Sequence, residues 1–432
     1  MSLCRFLVSC ILIGCLGTAA FAQPARSTFS SFGVGQFVEP AQAHAQGMAG
    51  VGVSNPQFWF LNNVNPALLV FNNFTSFQAG IIGESLTASD GEFSQNSQDG
   101  NMNYLMLGFS VRPSRRHPTM SRWSMSLSLS PYSVVDYGFS YVVPVENSPG
   151  TALFSERGSG GINQLSWSHG IGITKFLSAG FKANYLFSSI NNDFGKTVNL
   201  SADQLVILTS NTHKRYTFKD YTFTGGLSLH LDSLGADLYR FNLGAVYNLD
   251  ANVRTEYFET LERFTTGGVP LSTDTLFVSQ LGDTFIPGSL AFGMSFGRGE
   301  QWAFGIDGKL SDFTNFNAFE KTPTPTQLGW KVAAGLEVTP DPSSISSFLK
   351  RMTYRAGVSF EESPFLVNGN PLRDFGINFG LSTPVARFSS VDLALRWGSR
   401  GNIADNTIEE QYFKIYFGIT FNDRWFNKRR FD

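Results

Sequence analysis

The chain has 432 residues, a formal net charge of −2 and 42% hydrophobic residues. So near-neutral a charge offers no basic face for nucleic acid. Beyond the first residues there is no run of about eighteen apolar positions, which excludes membrane-spanning helices.

Met1 to Arg5 is a short basic stretch, Phe6 to Leu16 is apolar, and Ala20-Phe21-Ala22 is a small-x-small cleavage site. Together they assign 1–22 as a signal peptide, with Gln23 as the first mature residue. Leu12-Ile13-Gly14-Cys15 also fits a lipoprotein cleavage box, and both cleavages stay open. The three cysteines, Cys4, Cys10 and Cys15, all lie in this segment. A chain cleaved after Ala22 therefore carries no thiol for disulfide, redox or cysteine–metal chemistry.

Residues 23–73 hold no clean strand or long helix. They are rich in Gly and aromatics, and their apolar content (Phe58, Trp59, Phe60, Leu68, Leu69, Phe71) is too high for a disordered arm. Asn65 followed by Pro66 has the form of a helix N-cap with proline in the first turn.

From residue 74 to 421 the pattern has period two. In "RWSMSLSLS", Trp123, Met125, Leu127 and Leu129 alternate with serines. In "YFKIYFGITF", Phe413, Ile415, Phe417, Ile419 and Phe421 alternate with Tyr412, Lys414, Tyr416, Gly418 and Thr420. Such alternation predicts β-strands. One face is uniformly apolar. The other carries Gly and Ser with Lys182, Arg240, Asp307, Lys309, Lys331, Glu337, Arg355, Asp374, Asp392, Arg396 and Lys414. An apolar face towards lipid and small or charged residues towards a lumen define a transmembrane antiparallel β-barrel, the one sheet with no unpaired edge in hydrocarbon. The runs number roughly fourteen, each about ten residues long. Their centres lie near Phe77, Leu107, Leu127, Trp167, Tyr185, Leu227, Leu243, Phe292, Ile306, Ala334, Val358, Ile377, Leu395 and Phe417.

Long connections are expected after strands 1, 3, 5 and 7, with 255–286 the longest. Two connections at the opposite end, 113–121 and 340–351, are also long. An even strand count puts both termini on one side, the periplasm. Pro131, directly after "SLSLS", marks an end or break of strand 3, since proline cannot donate to the ladder. In "SADQLVIL", Ser201 and Gln204 are spaced like a capping box ahead of Leu205, Val206, Ile207 and Leu208. In "YFETLERF", Tyr257, Phe258, Leu261 and Phe264 recur at helical spacing. Two such turns on opposed loops would make an apolar ligand groove, or would simply pack on each other. Lys331, Arg355 and Arg396 are candidate lumen cations for an anionic ligand, or are paired with Glu337, Asp374 and Asp392. Residues 422–432 form a basic tail. Of the histidines (His44, His117, His169, His213, His230) none has metal-type spacing to another. Ser228 and His230 share a strand face without a catalytic motif and read as lumen wall. No catalytic residue, metal or cofactor is expected.

"GMAGVGVSNPQFWFLNNVNPALLVF" resembles the hatch segment of the long-chain fatty-acid transporter (FadL/OmpP1/toluene-channel) family, where a Gly-rich run is followed by an Asn-Pro-Ala triplet and then strand 1. The matching positions are Gly47, Gly50, Gly52, Asn65, Pro66 and Ala67. "FIPGSLAFGMSF", "WAFGIDGKLSDFTNF" and "YRAGVSFEESPF" are similar to the family's strands 8, 9 and 11. The resemblance implies a barrel of about fourteen strands in the outer membrane, its lumen plugged by a hatch at 23–73, with both termini periplasmic. It implies passive uptake of hydrophobic molecules such as long-chain fatty acids, with outer-membrane lipid and a hydrophobic small molecule as partners and an exit at a kink in strand 3. Some barrels resembling this family instead serve type IX secretion as non-transporting accessory or shuttle subunits, and that alternative remains, with a secretion-complex protein as partner.

Overall fold

The computed structural model describes residues 27–113, 120–146, 150–199, 207–234, 239–265, 269–321, 323–386 and 389–423. The signal segment, Leu205, Val206 and the tail from Arg424 lie outside them. Fourteen antiparallel strands close into one barrel. They are β1 (Thr75–Ser89), β2 (Ser94–Pro113), β3 (Ser121–Pro144), β4 (Thr151–Gly172), β5 (Leu177–Asn199) and β6 (Ile207–Leu234). Next come β7 (Tyr239–Asn248, resumed as Ala251–Phe264), β8 (Pro270–Ile286, resumed as Ser289–Arg298), β9 (Trp302–Asp312) and β10 (Leu328–Val338). The last are β11 (Thr353–Val367), β12 (Asn370–Ala386), β13 (Ser389–Arg400) and β14 (Glu409–Asp423). β14 closes on β1 from Asp423↔Thr75 to Glu409↔Ser89. Every strand centre expected from the alternation falls within its strand.

The alternation translates directly into facing. Trp123 and Leu127 are exposed on the outside, while Ser124, Ser126, Ser128 and Ser130 are buried inside. The same holds around the wall, with Phe292, Phe304, Val332, Val358, Phe379, Trp397 and Phe417 outward. Outward aromatics flank this belt at both ends: Trp123 and Tyr354 at the end where Asp423 pairs with Thr75, and Tyr221 and Tyr247 at the far end. A closed sheet with an apolar, aromatic-edged exterior is a membrane-spanning barrel of the outer-membrane kind.

The strands are longer than expected, up to 28 residues in β6. The supposed long outer loops are mostly strand. The described part of 255–286 belongs to β7 and β8, which end at Phe264 and begin at Pro270, and the longest described connection is instead 313–327, after β9. The sequence gives no sharp end here because the extensions keep the same alternation without the lipid-facing bias. At the end where Asp423 pairs with Thr75, the strands stop at Pro113 and Val338 and resume at Ser121 and Thr353, which agrees with the long connections expected at 113–121 and 340–351. β9 pairs with β10 on one side and, on the other, with the lower segment of β8. Among the described residues the upper segment, Pro270–Ile286, pairs with β7 alone, and its other edge has one bridge, from Phe285 to Asn317.

A barrel this wide cannot fill itself with its own side chains. Residues 27–74 fill it. They comprise a 3-10 turn (Thr28–Ser31), a two-residue strand (Gln36–Phe37), a helical turn (Ala43–Gln46) and a second 3-10 helix (Pro66–Phe71).

Candidate functional site: the lumen and its inner segment

The Asn65 side chain accepts a hydrogen bond from the Ala67 amide at 3.0 Å, and Pro66 opens the 3-10 helix Pro66–Phe71. The same side chain donates to Val53 O at 2.7 Å and to Leu227 O, on the wall, at 3.1 Å. Asn62 Oδ1 accepts from the amides of Val64 and Asn65 at 2.9 and 2.7 Å, and its Nδ2 donates to Gly52 O at 2.8 Å. The polar knot therefore ties the Gly-rich run to the helix that follows. Leu68, Leu69, Val70 and Phe71 are buried behind it. Phe71 also meets the His230 ring edge-on, at 5.0 Å between centroids.

Why can polar backbone lie so close to the wall? Gly170, Gly180 and Gly226 stand directly opposite one another on β4, β5 and β6. A Cβ on Gly180 would sit 2.3 Å from Ala67 N, and one on Gly226 would sit 2.2 Å from Asn65 Oδ1. A second row, Gly305, Gly335 and Gly357 on β9, β10 and β11, runs beneath Val51 and Met48. Gly47 meets Gly380 of β12, where a Cβ would come within 2.7 Å of the opposing Cα. Gly50 has φ +85°, a conformation most side chains avoid. The small residues of the lumen face are thus the seat of the inner segment, with each half of the Gly-x-x-Gly…Asn-Pro-Ala pattern on its own glycine row.

Side chains of the wall then take up the segment's orphan backbone groups. Asp307 accepts from the Gly52 and Val53 amides at 2.7 and 2.8 Å. Asn378 donates to Gln46 O at 2.7 Å, Lys182 to Asn63 O at 2.7 Å, and Ser295 to Ser54 O at 2.9 Å. The candidate lumen cations are paired. Arg355 meets Glu337 at 3.1 Å, Arg396 meets Asp374 at 2.8 Å, and Lys331 bonds Glu39 of the inner segment. Burial pushes the Glu39 carboxyl up and the Lys331 ammonium pulls it down, and the net effect is a lowered pKa. His44 stacks on Phe60 at 3.8 Å, and the Arg355 guanidinium carbon lies 5.8 Å from that ring. Burial first, and the Arg355 charge second, hold the imidazole well below its ordinary 6.5. Ionic and polar ties of this kind make the lumen a locked network; no open apolar conduit runs along these residues.

Pro131 lies inside β3, which continues for a further stretch to Pro144. It is a break of a different sort. The β2–β3 register begins at Pro113↔Ser121 and stops at Leu105↔Leu129. From Ser130 to Tyr137 no residue is exposed, so β3 has bent into the lumen. The inner segment replaces β2 there: Gln36 pairs with Val134, Phe37 with Ser133, and Val38 N donates to Tyr132 O at 3.0 Å. A cavity of about 190 Å³ lies behind this seam, lined by Phe37, Glu39, Asn103, Pro131, Lys331 and Arg396 among others.

The loop groove is not formed as expected. Tyr257, Phe258, Leu261 and Phe264 lie on β7, where strand alternation puts Tyr257 and Leu261 on one face and Phe258 and Phe264 on the other. Ile207 and Leu208 open β6, and Leu205 and Val206 fall outside the described residues. An apolar stretch read at helical spacing also satisfies a strand when its polar residues are few, and cross-strand pairing with β6 and β8 decides for the strand. Tyr257 instead joins an inward cluster with Tyr137, Leu186, Ile190, Tyr216 and Phe218, packed on Val34 and on Phe319 of the 313–327 connection.

A family model described as BamG matches residues 3–432. The chain belongs to the BamG family. No curated protein matches it. Among solved structures, this BamG-family chain is similar to the Pseudomonas putida toluene transporter TodX (15% identity, TM-score 0.57, 90% of this chain and 99% of that one). It is also similar to the Ralstonia pickettii toluene transporter TbuX (13%, TM-score 0.55, 89% and 98%). A Pseudomonas aeruginosa FadL homologue matches at 11% identity with a TM-score of 0.56, over 89% and 98%. At such identities the likeness shows a shared fold, the FadL-like outer-membrane barrel.

Proposed function

We propose that this BamG-family barrel is an outer-membrane channel for passive uptake of hydrophobic molecules. In this reading residues 23–73 act as a hatch, and cargo leaves sideways at the β2–β3 seam. The seam is the single observation that carries the reading: among the described residues the wall is unpaired there, and the strand that stops it belongs to the inner segment. The inward apolar cluster around Tyr216 and Tyr257 would receive cargo from the far end. The transporters named above share the fold and lend support. The C-terminal end of the wall, where Asp423 pairs with Thr75, is then periplasmic, and long-chain fatty acids are one cargo class of suitable shape.

The test uses a chain without native cysteines after cleavage. Gln36→Cys with Val134→Cys places two thiols on directly paired residues, close enough for a disulfide. In liposomes loaded through this protein, the oxidised form should stop uptake of a fluorescent fatty acid and dithiothreitol should restore it. Uptake at the same rate in the oxidised form would sink the hatch-gated reading.

A second reading, a non-transporting accessory subunit of a secretion complex, is favoured by the ionic character of the lumen. It predicts no cargo flux from either form, and a stoichiometric protein partner in native mass spectrometry.

A further inference from the structure

At the terminal mouth of the barrel, on the opposite side of the inner segment from the seam, lies a separate cavity of about 470 Å³. That is within the range of small-molecule sites, roughly 300–1,000 Å³. Its floor is the tip of the inner segment, Phe58, Trp59 and Phe60, and its wall includes Arg240, Arg351 and Val385.

The charges facing it are unequal. Arg240, Arg351 and Arg355 line it against Glu300 and Glu337. Arg355 is already engaged by Glu337 at 3.1 Å and by Ser382. Glu337 is engaged by Gln57 as well, at 2.8 Å, and Glu300 is exposed at the rim. Arg240 and Arg351 have no carboxylate partner among the described residues; each gives one bond to a backbone carbonyl, of Gly299 and Ser344 respectively. A guanidinium that borders a cavity without a carboxylate beside it is ordinarily matched by an anion. The Arg240 guanidinium carbon also lies 5.7 Å from the centre of the Phe58 ring, which fixes its plane beside an aromatic surface.

We propose that this mouth cavity is a binding site for a small amphipathic carboxylate, its flat apolar body on Phe58 and its charged end on the terminal guanidinium nitrogens of Arg240 and Arg351. The site is built from the inner segment and the wall together, so an occupant would hold the segment's tip in place. It is formed with the lumen closed and can be tested without any transport.

Calorimetric titration of the detergent-purified mature protein with phenylacetate should show one saturable site per chain. Benzyl alcohol, which lacks the charge, and inorganic phosphate, which lacks the body, should each bind at least tenfold more weakly. Arg240→Met with Arg351→Met should lower phenylacetate affinity at least tenfold. Val385→Trp, which fills the cavity from an exposed wall position and keeps both arginines, should do the same if the cavity is the site. Absence of phenylacetate binding overturns the proposal. So does equal binding of inorganic phosphate, or undiminished binding by Val385→Trp.

Discussion

Single residues decide how closely the inner segment can approach the wall. Gly180→Leu would drive a side chain into the backbone of Pro66 and Ala67, which a Cβ alone approaches to 2.3 Å. The expected result is an unseated segment and raised conductance in planar bilayers, with strand content by circular dichroism unchanged. Asn65→Ala removes a cap of the kind worth about 1 kcal/mol and two further bonds; faster hydrogen exchange over 62–71 is the corresponding measurement. His44 gives a pH dependence whose sign follows from its surroundings. Its seated form holds the proton less tightly than the free value of 6.5. Protonation therefore favours the unseated segment, and stability is full above that value and falls as pH drops below it, by up to about 1.4 kcal/mol per pH unit. Glu39, with a lowered pKa, weakens the segment in the same direction but only further down, as pH falls through the carboxylate range below 4.5. Between pH 7.5 and 5.5 the melting midpoint should thus fall further in the parent chain than in His44→Phe; an identical pH dependence of the two chains contradicts the buried neutral imidazole.

Among the elements, β2 and β3 set the chain apart from a uniform barrel. Between Ser94 and Asn103, β2 pairs with β1 on one side and has no β3 partner on the other. Alternate amides along that stretch should exchange quickly while those from Leu105 to Phe109 stay protected. Uniform protection would mean that the seam is closed in solution. Proline at 131 was legible as a disturbance of the ladder; its consequence was not, because the sequence does not show that a strand from the N-terminal segment takes the vacated edge. The helical reading of Tyr257–Phe264 failed for a related reason: with apolar residues at both parities, the local pattern fits two periods, and pairing with β6 and β8 chose one. The free upper edge of β8 carries register shifts near Thr275, Phe277 and Gln280. Bulges of this sort limit strand addition at an exposed edge.

At the scale of the molecule the barrel and its filling are separable in principle. Apart from the β2–β3 seam and the upper edge of β8, the wall closes through its own backbone pairing from β1 to β14, whereas the filling is held by side chains drawn from nearly every strand. Removing residues 27–73 should leave a folded barrel and open an ion-conducting pore. Conductance equal to that of the intact chain would show that the wall collapses inward, or that the lumen is blocked by the 313–327 connection.

The period-two alternation, with its one apolar face, was enough to determine a membrane barrel, its strand centres and the inward or outward facing of most side chains. Facing is a local property of an extended backbone, so nearest-neighbour pattern carries it. The Asn65-Pro66 cap was local in the same way and formed as read. What tertiary structure decided was everything that depends on which strands become neighbours: the two glycine rows, Asp307 beneath Gly52 and Val53, Lys331 on Glu39, and the seam beside β3. Those contacts join residues far apart in the chain, and each partner alone looks like an ordinary small or charged lumen residue. Closure of the sheet around the inner segment is what gives them a common purpose.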